Sequence, residues 1–213
     1  PLQRCLQTRS GTATVADTDT SQDSFTAVST ETASVSGYGT YTMATSGAWT
    51  YTLTDSNSAV QALAAAATMS DTFSVTSSYG TAQTISITIT GINDAATIGG
   101  TSTGGATEDT SDGSGTLTVA DTDTNEATFT AVSTETASVS GYGTYTITSG
   151  GVWAYTLTDS NSAVQALALA ATMTDTFSVT SSDGTAQTIT ITITGINDAA
   201  TFGGATTGGA TED

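Results

Sequence analysis

The residues with most chemistry to offer are carboxylates, and they recur as a set. Ala-Asp-Thr-Asp-Thr occurs at 16–20 and again at 120–124, placing Asp17 and Asp19, then Asp121 and Asp123, two residues apart. Asn-Asp pairs follow two apolar stretches, at Asn93–Asp94 and Asn197–Asp198. Asp183 precedes a glycine, Asp71 and Asp175 each open an Asp-Thr-Phe-Ser-Val segment, and Glu108 lies in Thr-Glu-Asp. The only basic residues are Arg4 and Arg9, against 20 acids, for a net charge of −18 over 213 residues. Carboxylates crowded together must protonate, repel or share a counter-cation. With almost no Lys or Arg, that counter-charge has to be a metal. Oxygen-only donors favour Ca²⁺ over soft metals, and over Mg²⁺, which keeps its waters.

Other chemistries are excluded by what is missing. There is no His, so His-based acid–base catalysis and Ser-His-Asp triads are impossible. One Cys, Cys5, allows no internal disulfide and makes zinc improbable. So acidic a chain does not neutralise phosphates, which argues against nucleic acid. No apolar run approaches the roughly 18–20 residues of a membrane-spanning helix. Pro1–Ser10 has no apolar core of a signal peptide, and the start at Pro rather than Met reads as an internal piece of a longer array. Nothing marks a catalytic cleft, so an enzyme is not expected.

The elements that must position the acids come from a tandem repeat. Residues 11–100 and 115–204 align without gaps and differ at 16 of 90 positions. The expected division is a non-repeating segment 1–10, a first repeat 11–98, a linker 99–106, a second repeat 107–202 and the start of a third at 203–213. A period near 100 residues is a small domain rather than a solenoid turn. The second repeat alternates polar and apolar residues over Thr116–Ala120, Thr128–Val132, Thr144–Thr148, Val152–Thr158, Thr176–Thr180 and Thr188–Thr194. This is the half-buried strand pattern, punctuated by glycines. It predicts tandem immunoglobulin-like Greek-key sandwiches, all-β. The expected core is Leu117, Val119, Phe129, Tyr145, Ile147, Trp153, Tyr155, Leu157, Phe177, Val179, Ile189, Ile191 and Ile193. Ala/Leu-rich Ser160–Ala171 predicts one short helical crossover, capped by Asp159 or Ser160, with Val164 and Leu167 facing inward.

Tracing the strands up and down such a sandwich gathers the acids at its ends. Asp121 and Asp123 follow one strand, and Asp183 is delivered to the same end. Asn93 and Asp94 arrive there from the preceding repeat, so Asp94, Asp121, Asp123 and Asp183 are expected to converge, with Asn93 and Asp71 in reach. Asn197 and Asp198 fall at the opposite end.

The motifs GTLTVADTDT, GYGTYTI, WAYTLTDSNSAVQAL, DTFSVTSSDGT and ITITGINDAAT closely resemble the VCBS repeat of large bacterial, RTX-type surface adhesins, over nearly the whole chain. The sequence is more distantly similar to cadherin repeats. That resemblance implies calcium between domains, held by an early acid, an Asp-x-Asp, an Asp-Gly and an Asn-Asp. Carried over, these are Glu108, Asp121 with Asp123, Asp183, and Asn93–Asp94 or Asn197–Asp198, with Glu108 serving the far end of its own repeat beside Asp175. Asp17 and Asp19 are the Asp-x-Asp of the first repeat. The sequence departs from the pattern at three places. Asn-Asp-Ala-Ala replaces Asn-Asp-Ala-Pro, Tyr79 stands where the second repeat has Asp183, and Arg4 stands where it has Glu108. The resemblance implies a secreted or cell-surface stalk module for adhesion, stiffened by Ca²⁺, whose partners are neighbouring repeats. Residues 95–114 look flexible enough to need such stiffening. An alternative is a face that recognises a glycan or another adhesin copy, with Tyr38, Tyr79 and Tyr142 to inspect. Trp49 and Trp153 fit core positions better than a sugar platform, and Glu31 and Glu135 read as solvated residues of a long connection.

Overall fold

The computed structural model describes residues 7–19 and 22–212. The chain divides into two compact units. One holds residues up to Thr97 together with Ala120–Ala127; the other holds Ile98–Val119 and everything from Thr128 on.

In the first unit, β1 (Thr8–Thr12), β4 (Ala48–Leu53), β3 (Gly39–Met43) and β2 (Val28–Ala33) form one antiparallel sheet in that order. The hairpin of β5 (Thr68–Thr76) and β6 (Ala82–Thr90) forms the other, and α1 (Ser58–Gln61) connects the two. The second unit repeats the plan and enlarges it. Its first sheet runs β10 (Val132–Ala137), β11 (Gly143–Ile147), β12 (Val152–Leu157), β9 (Gly113–Ala120), β7 (Thr97–Gly100). Its second runs β13 (Thr172–Thr180), β14 (Ala186–Thr194), β8 (Thr103–Thr107), with β8 parallel to β14. Each unit is an immunoglobulin-type β-sandwich.

The alternation dictates the core. In β14 the isoleucines 189, 191 and 193 are fully buried between threonines, and Leu117, Trp153, Tyr155, Phe177 and Val179 close on them from both sheets. Tyr145 stacks on Phe177 with centroids 4.2 Å apart, and Trp153 meets the same ring edge-on at 5.8 Å. Val119 and Tyr145 of the expected core are only partly buried. Trp153 is wholly buried and Trp49 packs against its core, as their positions in alternating strands demand.

Four details differ from the sequence reading. Residues 99–106, expected as a linker in a flexible 95–114 stretch, lie largely in β7 and β8, because Ala106 is buried and β8 ladders onto β14. Thr128–Val132 keeps its alternation but not a ladder: Phe129 makes one bridge to Ser181 while Thr130 N–H bonds Thr180 O at 2.9 Å, as the chain crosses between sheets. The helix is a single turn, α2 (Ser162–Gln165), capped by Asn161 rather than Asp159 or Ser160; the Asn161 side chain accepts from Ala163 N at 2.9 Å. It stops early because Ala170 N bonds Gly195 O and Gly195 N bonds Ala171 O, tying the following residues to the end of β14. Glu31 and Glu135 sit in exposed strands β2 and β10, not in a connection.

Candidate metal centre

The loop 120–127 belongs by sequence to the second repeat but is part of the first compact unit. β9 ends at Ala120, and the next residues fold onto themselves. The Asp121 carboxylate accepts from Asp123 N at 2.8 Å, a local Asx turn. Asn125 takes a left-handed conformation, φ 69°, which Asn tolerates well. This curl brings one oxygen each of Asp121, Asp123 and Glu126 within 4.8 Å of one another. Thr124 N–H bonds Ala62 O at 3.1 Å and so fixes the loop against the end of α1.

Asp123 is 2% exposed. One of its oxygens accepts from Asp94 N at 2.8 Å, so the residue after Asn93 meets the Asp-x-Asp loop, as strand tracing anticipated for these three acids. The other oxygen, Oδ1, is buried with no hydrogen-bond partner, and so is Asp121 Oδ2. A desolvated carboxylate oxygen without a donor costs several kcal/mol unless a cation faces it. Three converging carboxylates with orphaned oxygens therefore suit a hard divalent ion, and their donor set is all oxygen. Glu126 was not among the residues singled out from the sequence. Its signal was available in the spacing Asp-x-Asp-x-x-Glu, and the first repeat has Gln22 at the same place.

The remaining candidates fall elsewhere. Asn93 donates to Asp94 O at 3.1 Å, and Asn197 to Asp198 O at 3.0 Å, so both Asn-Asp pairs share one local shape. Glu108 is fully buried: one oxygen accepts from Ile196 N at 3.0 Å and the other, Oε1, has no partner. Asp17 and Asp19 are exposed. Asp183 closes its hairpin, accepting from Thr185 N at 3.1 Å, from Thr185 Oγ1 at 2.6 Å and from the Ser181 hydroxyl. It is not one of the three gathered carboxylates. Tyr79, its counterpart, is 64% exposed, whereas Tyr38 and Tyr142 pack partly onto their cores. Arg4 and Cys5 lie outside the described residues.

Asp71 and Asp175, expected among the ligands, are internal anchors instead. Asp175 is fully buried and accepts from Tyr155 Oη at 2.8 Å, Ser140 N at 3.0 Å, Thr176 N at 2.8 Å and the Ser138 hydroxyl. Asp71 does the same with Tyr51, Ser36 N, Thr72 N and Ser34. These donors occupy both oxygens of each group, which leaves no role at a domain end. Burial pushes both carboxyls up, but the hydrogen bonds outweigh it and hold them below the usual aspartate range. Burial and the facing carboxylates push the Tyr51 and Tyr155 hydroxyls well above theirs.

Residues 93–195 match a bacterial cadherin-like domain. The matched stretch of this cadherin-like domain opens at the Asn93–Asp94 pair and contains the gathered acids. Among solved structures, the chain is similar to a protocadherin gammaB7 EC3-6 cis-dimer structure, with TM-score 0.38 and 9% identity over 81% of this chain and 41% of that one. It is also similar to protocadherin gamma B2 extracellular cadherin domains 1–5, with TM-score 0.33 and 9% identity over 76% of this chain and 32% of that one. The chain thus spans about two fifths and one third of those structures' lengths. No curated protein matches the sequence significantly. The cadherin-like sandwich is a structural and adhesive fold. No helix among the described residues is long and apolar enough to cross a membrane.

Proposed function

We propose that the chain is a calcium-stiffened extender segment of a large bacterial surface adhesin of the VCBS, RTX-associated kind. The observation that carries this reading is the buried meeting of Asp121, Asp123 and Glu126 beside Asp94, with carboxylate oxygens that no donor satisfies. Calcium would be held by those three carboxylates. It would offset their repulsion and fix the 120–127 loop against the chain that leaves the first repeat. The role is mechanical: the residues orient and bind, and no bond is made or broken. Glu108, with its orphaned oxygen beside Ile196 and the Asn197–Asp198 pair, supplies the other half of such a site for a following repeat. The resemblance places the array at the cell surface, with neighbouring repeats as its partners.

Small-angle scattering of the chain, with calcium and then with excess chelator, tests the stiffening. The expected result is a change in maximum dimension and a broader distance distribution on chelation. Superimposable curves would overturn it.

A further inference from the structure

The two units differ at one place that the metal does not touch. In the second unit β7 and β8 complete the sandwich: β7 flanks β9, and β8 flanks β14. In the first unit, among the described residues, β1 pairs only with β4 and β6 only with β5, so both corresponding edges are open. An open edge offers unpaired N–H and C=O groups to an added strand. Beside β6 lies a groove lined by Arg9, Tyr51, Val60, Ile87 and Ile89. Ile87 and Ile89 keep 7% and 6% exposure, where Ile191 and Ile193 under β8 have none.

The missing piece is present in the sequence. Residues 97–108 read TIGGTSTGGATE and residues 201–212 read TFGGATTGGATE, with three differences. The second copy of this segment lies outside any strand and is exposed throughout. Phe202, the counterpart of core-packing Ile98, is 98% exposed. Gly204 already has the left-handed turn of Gly100, φ 96° against 87°, which redirects the chain from β7 to β8.

We infer that the Thr201–Glu212 segment of one copy completes the sandwich of the first unit in a second copy, as β7 and β8 do in the second unit. The receptor is nearly the same surface: β6 and β14 differ only at Ser86 against Thr190. The β8–β14 register, carried over, sets Thr207 opposite Ser86, Gly208 opposite Ile87 and Ala210 opposite Ile89. Gly208 is required, because a Cβ on Gly104 would lie 2.7 Å from the Trp153 ring and 3.1 Å from Ile191; Trp49 and Ile87 are the counterparts. Ala205 O takes the place of Thr101 O, which accepts from Trp153 Nε1 at 2.8 Å. The receptor departs from its template at Arg9, which replaces Gly113; a Cβ at Gly113 is 3.2 Å from Gly105 O, so the added strand sits a few tenths of an ångström farther out. Each copy then carries one donor and one receptor, so association is head-to-tail and open-ended.

The test uses the full chain with Cys5→Ser, in one preparation carrying Ser86→Cys and in another Thr207→Cys, mixed under mild oxidation in chelator. The expected product is a disulfide heterodimer, with a light-scattering mass that rises with concentration. Phe202→Ser or Gly208→Leu in the donor preparation is expected to weaken association roughly tenfold or more. A synthetic peptide of residues 201–212 is expected to compete. A mass fixed at the monomer with no heterodimer would overturn the inference. So would a Ser86→Cys/Thr207→Cys double variant that cross-links only within its own chain. Because calcium is absent throughout, the outcome is separate from that of the metal proposal.

Discussion

Ala-Asp-Thr-Asp-Thr occurs twice with one sequence and two environments. At both copies the first aspartate accepts from the backbone N–H of the second, at 3.0 Å for Asp17 and Asp19 and 2.8 Å for Asp121 and Asp123. The local turn is therefore intrinsic to the motif. What differs is what surrounds it. In the first copy both acids are exposed, and the Asp17 N–H donates to Asp23 at 2.5 Å. In the second, Ala127 replaces Asp23, Glu126 replaces Gln22, and Asp94 N reaches Asp123, which is buried. An Asp-x-Asp shapes a turn by itself. It gathers carboxylates only where an acid three residues on and an incoming strand end enclose it.

The largest effect expected on either unit leaves that contrast intact. Asp175→Ala orphans the Tyr155 and Ser138 hydroxyls in the core and costs that unit about 3–5 kcal/mol in denaturant unfolding, with Asp71→Ala costing its own unit a similar amount. Calcium dependence is expected to survive both, which separates anchors from ligands. The same anchors set an acid limit. Their carboxyls titrate lower in the folded chain than in the unfolded one. The stability they add is thus complete above the ordinary aspartate range and is lost as pH falls through and below it; acid titration of both wild type and Asp175→Asn reads this, the variant being the flatter. A sharper probe of the contrast is Glu126→Gln, which makes the second loop like the first. It is expected to weaken calcium binding by about tenfold, with the fold unchanged. The smallest effect concerns the hairpins: Tyr79→Asp lets Thr81 and Ser77 donate as Thr185 and Ser181 do to Asp183, for a gain of about 0.5–1 kcal/mol in the first unit.

Much of this was legible in the sequence. Period-two alternation located β11 through β14 and nearly the whole buried core, because burial on one face leaves few other patterns. The meeting of Asp94 with Asp121 and Asp123 followed from strand direction alone. Asp71 and Asp175 were misplaced for a physical reason: an aspartate beginning a strand pattern looks like a loop acid until the hydroxyls of Ser34 and Tyr51, or Ser138 and Tyr155, are known to surround it. β7 and β8 hid behind glycines, since Gly104 is chosen to let Trp153 approach and reads as linker. Glu126 was hidden by its neighbours Asn125 and Ala127, which look like any loop.

The central claim is that the second loop binds calcium and the first does not. The direct measurement is calcium titration of thermal unfolding for wild type, Asp121→Asn/Asp123→Asn and Asp17→Asn/Asp19→Asn. Wild type and the Asp17/Asp19 variant are expected to gain about 2.7 kcal/mol at a hundredfold excess over Kd, and the Asp121/Asp123 variant to gain nothing. Equal gains in all three proteins would contradict it.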